Sequence, residues 1–303
     1  MYARTPPSVN VFHRFSTSFL SLLTAAGLFF FLSSCGVTHE ADRPYQSAAA
    51  RYVPGPDKSV LQTPCYRLTD ARGRRVELTG AIHIAEKSYY RDLNKHLRTF
   101  DAVLFEGVGS PPSKHPKAAP AAQSAPKKEP EISRIYSTMA HDYLHLSLQG
   151  EEIDYTRPNF IHADVSAQEF NNLLKQRGMT MDSMVKTSRF SPGLQTSRWL
   201  LGVMKYLLPT GDPDAMKRIA APDLAKAENS ADLPPATYDV IVIQRNKHLL
   251  QVMDRELAAG KKNLSLFYGS GHFEDLRKQL HARGWHDAGT EWRDAWIIAP
   301  EKR

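Results

Sequence analysis

Two stretches of the chain share one local design. Val76-Glu77-Leu78-Thr79-Gly80-Ala81-Ile82-His83 and Leu264-Ser265-Leu266-Phe267-Tyr268-Gly269-Ser270-Gly271-His272 each read as an apolar strand, a glycine, two residues, and a histidine that opens a helix-like run. In α/β folds, strand ends followed by tight glycine turns are where ligands and reacting groups gather. Glycine gives the chain freedom to turn sharply and lets backbone approach a ligand. A histidine at a helix start lies beside amides without intrahelical partners, which favour negative charge. That setting suits an oxyanion or a metal-bound hydroxide. The bare pattern carries little weight, because 17 glycines and 12 histidines in 303 residues give roughly 0.7 chance matches. Gly36-Val37-Thr38-His39 is an accidental third copy. The matching strand-turn-helix context is what singles out His83 and His272.

A carboxylate and a guanidinium join them. Asp101 to Glu106 reads as a buried strand ending in Glu106, whose carboxylate then opens onto the same sheet edge as His83. Two imidazoles and one carboxylate form a common ligand set for a catalytic divalent ion with an open position. A salt bridge from Glu106 to an arginine at the sheet edge is the plainer alternative. Arg245 follows the apolar run Ile241-Val242-Ile243 inside a long helix. It suits a substrate clamp or an oxyanion partner, although the pattern alone slightly favours a solvated helix face. Asp164, after Phe160-Ile161-His162-Ala163, is a further candidate beside the site.

Other features fall away. His141 and His145 have the i, i+4 spacing of zinc ligands but lack the glutamate of the zincin pattern, so they read as a polar helix face. Ser270 lies between two glycines, but Tyr268 stands where a nucleophile elbow needs glycine. Trp292 and Trp296 alternate on a strand and read as core.

The elements that must position these groups are legible in outline. The spacing predicts a hairpin turning at Asp70-Ala71-Arg72-Gly73-Arg74, a helix from Glu86 to Thr99, and a helix from Ile132 to Leu148. Ser166-Ala167-Gln168-Glu169 is a capping-box start. Residues from about 166 to 232 read as a helical insert broken by Pro192, Pro209, Pro213 and Pro222. One long helix runs from Tyr238 to Ala258, another from His272 to Arg283, and a last strand lies near Trp292 to Ile298. Residues 110–131 are rich in Pro, Ala and Lys and read as a disordered insertion. The expected fold is α/β, with a mixed, mostly parallel central sheet flanked by helices. At 42% hydrophobic residues the chain can supply one large core of this kind.

The N-terminus reads as a targeting segment. Arg4, His13 and Arg14 precede an apolar run from Phe19 to Leu32, too short for an ordinary span and of signal-peptide length. It ends in Leu32-Ser33-Ser34-Cys35-Gly36, which resembles a bacterial lipobox. Residues 1–34 are then a lipoprotein signal peptide, Cys35 carries the lipid, residues 35–60 form a flexible tether, and residues 61–303 the α/β domain. An uncleaved signal anchor is the alternative. Gly36, rather than aspartate, favours the outer membrane, with the domain facing the periplasm. Cys65 then lacks a disulfide partner and reads as a small buried hydrophobe. Cleavage would reduce the net charge of +7 by two, through loss of Arg4 and Arg14. No nucleic-acid-binding motif accompanies that charge.

Gly80-Ala-Ile-His83, the strand ending in Glu106, Arg245-Asn246 and Gly269-Ser-Gly-His272 with Leu276 and Leu280 resemble the TraB/PrgY/GumN family. That family includes the Tiki proteins and is distantly related to erythromycin-esterase and ChaN-like proteins. The similarity spans roughly residues 62 to 298. It implies an EreA/ChaN-like α/β fold and a metal-dependent, peptidase-like hydrolase using an ion of the Mn, Co or Zn class. His83, Glu106 and His272 would be the ligands, with Arg245 close by. Peptides or small esters are the implied substrates. Gln244 stands where many relatives have glutamate. ChaN-like relatives suggest haem or iron binding as a second reading, with Tyr268 or His272 as axial ligands. Erythromycin esterases suggest a third, a metal-free histidine base.

Overall fold

The first hairpin forms where its turn chemistry demands. Strands β3 (Ser59–Thr69) and β4 (Arg75–Ala81) pair antiparallel from Cys65 opposite Thr79 to Thr69 opposite Arg75. Between them the Asp70 carboxylate accepts from the amides of Arg72 (3.0 Å) and Arg74 (2.9 Å), the side-chain turn that aspartate favours. Gly73 supplies the left-handed residue at φ +72°. These observations come from a computed structural model that describes residues 44–109, 137–180, 183, 212, 214–226 and 233–301.

The sheet begins earlier than the composition suggests. Strands β1 (Tyr45–Gln46) and β2 (Arg51–Val53) lie within the expected tether, and β3 starts at Ser59. The body therefore incorporates residues 44–60: Tyr52 is 1% exposed, packed among Leu61 and Trp296 in the core. Ala, Pro and Ser enrichment hid this because two short strands need only one buried aromatic between them. β3 then serves two partners on one side. It pairs with β2 up to Gln62 and with β4 from Cys65, while β10 (His286–Ile298) runs along its other side. Pro64 sits at the changeover, where a residue without an N–H costs the ladder least.

The inner sheet is parallel. β4, β9 (Asn263–Gly269), β6 (Ala102–Phe105) and β8 (Phe160–His162) lie side by side in that order, all pointing the same way. A parallel sheet is buried on both faces, and the alternation along these strands divides the core accordingly. Val103, Phe105 and Phe267 face helix α1 (Lys87–Leu97) through Tyr89, Tyr90, Leu93 and Leu97. Leu78, Leu104, Leu264, Leu266 and Tyr268 face the opposite layer, through Leu249, Leu250 and Met253 and through Phe273, Leu276 and Leu280. The fold is thus α/β, a mixed, mostly parallel sheet between helices.

Several elements depart from the expected ones. Residues Met139–Tyr143 form one π-helical turn, and Ser147–Leu148 then pairs as strand β7 with β5 (Ile84–Ala85). The expected helix to Leu148 therefore ends early, because the chain there pairs with the segment after His83. Ser166 caps helix α2 (Ala167–Gln176) with Glu169 reciprocating, and Pro222 lies inside helix α3 (Ala215–Lys226) instead of ending it. Burial of Ala221 and Ala225 in the core compensates the lost backbone bond. Helical turns at Pro235–Tyr238 and a π turn at Asp239–Ile243 lead into α4 (Gln244–Ala258), with Gly260 at φ +93° beyond it. Trp296 is core, but Trp292 is only half-buried and lies under the Arg51 guanidinium, because a bulge between Asp294 and Trp296 breaks the alternation. The insertion at 110–131, most of the helical insert, Cys35 and the signal segment lie outside the described residues. Among the described residues no helix is long and apolar enough to cross a membrane.

Candidate functional site

Parallel strands bring their carboxyl ends to one edge, and three polar side chains meet there. Ala81 of β4 lies opposite Gly269 of β9, and Phe105 of β6 lies opposite both Phe267 and His162. The next residue of β6 is Glu106. Asp164 follows β8 by two residues, and His272 closes the short turn Ser270–His272 before helix α5 (Phe273–Ala282). Arg245 and Asn246 reach the same edge from the first turn of α4.

Arg245 is the centre of this array. It is 6% exposed. Its Nε donates to Asp164 Oδ1 at 2.9 Å and its Nη2 to Asp164 Oδ2 at 2.6 Å, while Nη2 also reaches Glu106 Oε1 at 2.7 Å. Its Nη1 donates to the carbonyl of Ile241, in the preceding π turn. The guanidinium is therefore neither a solvated helix face nor a free clamp, since its donors are occupied by two carboxylates and a carbonyl. Asp164 is a positioning residue: it also accepts from the amides of Gly107 (2.9 Å) and Val165 (2.8 Å).

Glu106 is gripped from both sides. Oε2 accepts the amide of Gly269 at 2.6 Å. A Cβ at position 269 would stand 3.1 Å from that oxygen, so glycine is what lets the backbone come this close. Burial opposes ionisation of Glu106, but the charge that His272 takes up in acid, the Arg245 guanidinium, the Gly269 amide and His83 outweigh it. The carboxyl is held down at about 2, so Glu106 is an anion at neutral pH.

His272 is 5% exposed. Its Nε2 lies 3.7 Å from Glu106 Oε1, and its Nδ1 lies 2.7 Å from Asn246 Oδ1. Tyr268 packs edge-on against the ring. Burial pushes the imidazole below its ordinary value, with Arg245 acting the same way and the neighbouring carboxylates opposing. His272 is therefore neutral at pH 7. Tyr268 is fully buried and its hydroxyl donates to Ala163 O at 2.6 Å, which leaves it unavailable as an axial ligand.

His83 stands apart. It is exposed, in a bend between β4 and β5, and does not open a helix. Its Nδ1 pairs with Gln149 Oε1 at 3.2 Å, and Gln149 in turn donates to the Tyr155 hydroxyl. Tyr155 packs on Phe105, the residue before Glu106. His83 thus sits on the rim, within electrostatic reach of Glu106 but outside its hydrogen-bonding shell. The two glycine turns also differ in register, because Gly80 lies opposite Tyr268 and not opposite Gly269. Gly80 is inside its strand, and a Cβ there would meet the Pro64 carbonyl at 2.8 Å. Its smallness serves strand packing.

This donor set does not fit a resident divalent ion. Both oxygens of Glu106 already accept strong bonds, and a guanidinium lies against the carboxylate that a cation would have to share. Among the described residues no group of three His, Cys, Asp or Glu side chains is close enough to hold a metal. Cys65 plays no part, because burial pushes its thiol up to about 12.

Asn246 stands beside Arg245 in the family resemblance, but the sequence pattern assigns it no role. It is 0% exposed. The signal was present: positions 245 and 246 lie one turn before Leu249 and Leu250, on the buried face of α4. No protein-family model, curated protein or solved structure matches this chain.

Proposed function

We propose that this chain is a lipid-anchored cell-envelope hydrolase of the TraB/GumN type, cleaving a peptide or ester bond with His272 as general base. The observation that carries this reading is a buried imidazole at the carboxyl edge of the sheet, held below its ordinary value by burial, with its Nε2 3.7 Å from an ionised glutamate. A water placed against Nε2 loses its proton to the ring as it attacks the substrate carbonyl. The Glu106 anion stabilises the imidazolium that forms, and the ring then returns the proton to the leaving amine or alcohol. Arg245 and Asp164 keep Glu106 ionised and in place. The exposed His83 on the rim meets the substrate. Because the donor set is poorly suited to a cation, no metal enters this scheme.

The test is turnover of a panel of peptide and ester substrates by the purified chain, with and without a strong chelator. The expected result is chelator-insensitive turnover that falls about 100-fold or more in His272→Ala, the usual worth of a general base. In His83→Ala, KM rises more than kcat falls. Turnover that the chelator abolishes and Mn restores would replace this scheme with a metal-dependent one. Undiminished turnover in His272→Ala would end it.

A further inference from the structure

We infer that Asn246, oriented by Asp275, locks His272 in the tautomer that carries its proton on Nδ1, and that this lock makes Nε2 the open basic atom. A neutral imidazole has one N–H. Two oxygens compete for it here: Asn246 Oδ1 at 2.7 Å from Nδ1, and Glu106 Oε1 at 3.7 Å from Nε2. The first is a full hydrogen bond and the second is too long for one. The carboxylate is the stronger acceptor in principle, but Arg245 and the Gly269 amide already bind its two oxygens.

The amide of Asn246 cannot reverse to undo this. Its Nδ2 donates to Asp275 Oδ2 at 2.7 Å and to the His272 carbonyl at 3.2 Å. Both are acceptors with no proton to give, so the amino group must face them and the amide oxygen must face the ring. Asp275 is itself steadied by Gln279 Nε2 at 2.6 Å, one turn along α5. Histidine, aspartate and glutamine thus come from one helical segment and clamp a single asparagine of α4 between them. Asn246 is a positioning residue, acting on the reaction through His272.

The use of Nε2 as a base rests on the hydrolase reading, whereas the tautomer is a property of the resting chain and is measured without substrate. The experiment is a long-range proton–nitrogen correlation spectrum of the chain labelled in its histidines, with His272 assigned by its loss in His272→Gln. In the native chain His272 carries its proton on Nδ1. In Asn246→Leu, which removes the near acceptor and keeps the volume, the proton moves to Nε2, where Glu106 is the remaining acceptor, and kcat falls at least tenfold with KM little changed. In Asp275→Asn the side-chain oxygen still receives both amides, so the native tautomer persists; in Asp275→Leu it becomes a mixture. A native chain protonated on Nε2, or no change of tautomer in Asn246→Leu, overturns the inference. Tautomers that follow this order in a chain without turnover uphold the lock and sink only the hydrolase reading.

Discussion

Glu106→Gln tests the electrostatics of the site without changing its shape. The carboxyl of Glu106 moves from 4.5 in the unfolded chain to about 2 in the fold. Each unit is worth about 1.4 kcal/mol, so the shift sets an upper bound of about 3 kcal/mol on what the ionised form adds to folding, the His272 share of it present only where that ring is protonated. The sign follows from the direction. A depressed carboxylate contributes its full stability above the unfolded value and loses it as pH falls toward the folded one. About 2 kcal/mol of the contribution is gone by pH 3. Glutamine removes this dependence. It also turns an amino group toward either Arg245 or the Gly269 amide, donor against donor, a buried mismatch costing about 1–3 kcal/mol. Urea unfolding of both proteins at pH 7, 5, 4 and 3 therefore gives two curves that converge toward acid. The variant is well below the native chain at pH 7 and much closer at pH 3. Curves that stay parallel between pH 5 and pH 3 refute the argument, because they mean that Glu106 ionises in the fold much as it does in the unfolded chain.

Arg245→Met leaves Glu106 and Asp164 buried without their cation; urea unfolding at pH 7 should show a loss of about 3–5 kcal/mol, smaller at pH 4, where Glu106, no longer held down by Arg245, accepts a proton more readily. Gly80→Ala drives a methyl against the Pro64 carbonyl, 2.8 Å from the ideal Cβ, and should cost about 1–3 kcal/mol in the same assay with the remaining folded protein fully active. Cys65 is buried and its thiol is pushed up to about 12, so a maleimide should label it only after denaturation, and Cys65→Ala should retain turnover. Cys35→Ser should abolish incorporation of labelled palmitate and release the chain from the membrane fraction.

The sequence displays the sheet better than it displays the site, and the reason lies in what each depends on. Strand β9 is visible because Leu264, Leu266 and Tyr268 alternate with Ser265 and Phe267, and both faces are buried. The hairpin is visible because Asp70 and Gly73 do local work that their types announce. The site is assembled from four separate segments, with His83 on its rim, and its decisive facts concern register. Gly80-Ala-Ile-His83 and Gly269-Ser-Gly-His272 match as strings, yet their glycines lie one residue apart across the β4–β9 pair. That single step puts one glycine against a strand and the other against a carboxylate. It leaves one histidine on the rim and the other buried. Arg245 misled in the opposite sense. A polar pair following Ile241-Val242-Ile243 suggests a helix turning outward, but the inward face simply continues through Arg245 and Asn246 to Leu249 and Leu250. The polarity marks where the apolar core ends and the sheet edge begins.

Charge balance explains why these groups occur together. Glu106 and Asp164 carry two negative charges to a buried edge, and Arg245 supplies one positive charge between them. The remaining unit of negative charge is what a neutral His272 meets across 3.7 Å. Such a site resists a proton at rest, because burial and Arg245 disfavour it; in the proposed hydrolysis it would favour one at the moment water is deprotonated, because the proton then arrives beside an unbalanced carboxylate. For the proposed step, a guanidinium held within hydrogen-bonding distance of both carboxylates supplies the fixed positive charge that the pair needs. A divalent ion would overbalance the pair, compete with Arg245 for Glu106 Oε1, and occupy the Nε2 lone pair needed as base. In the proposed scheme the arginine is thus the fixed cation of the site, and the transferred proton its mobile one.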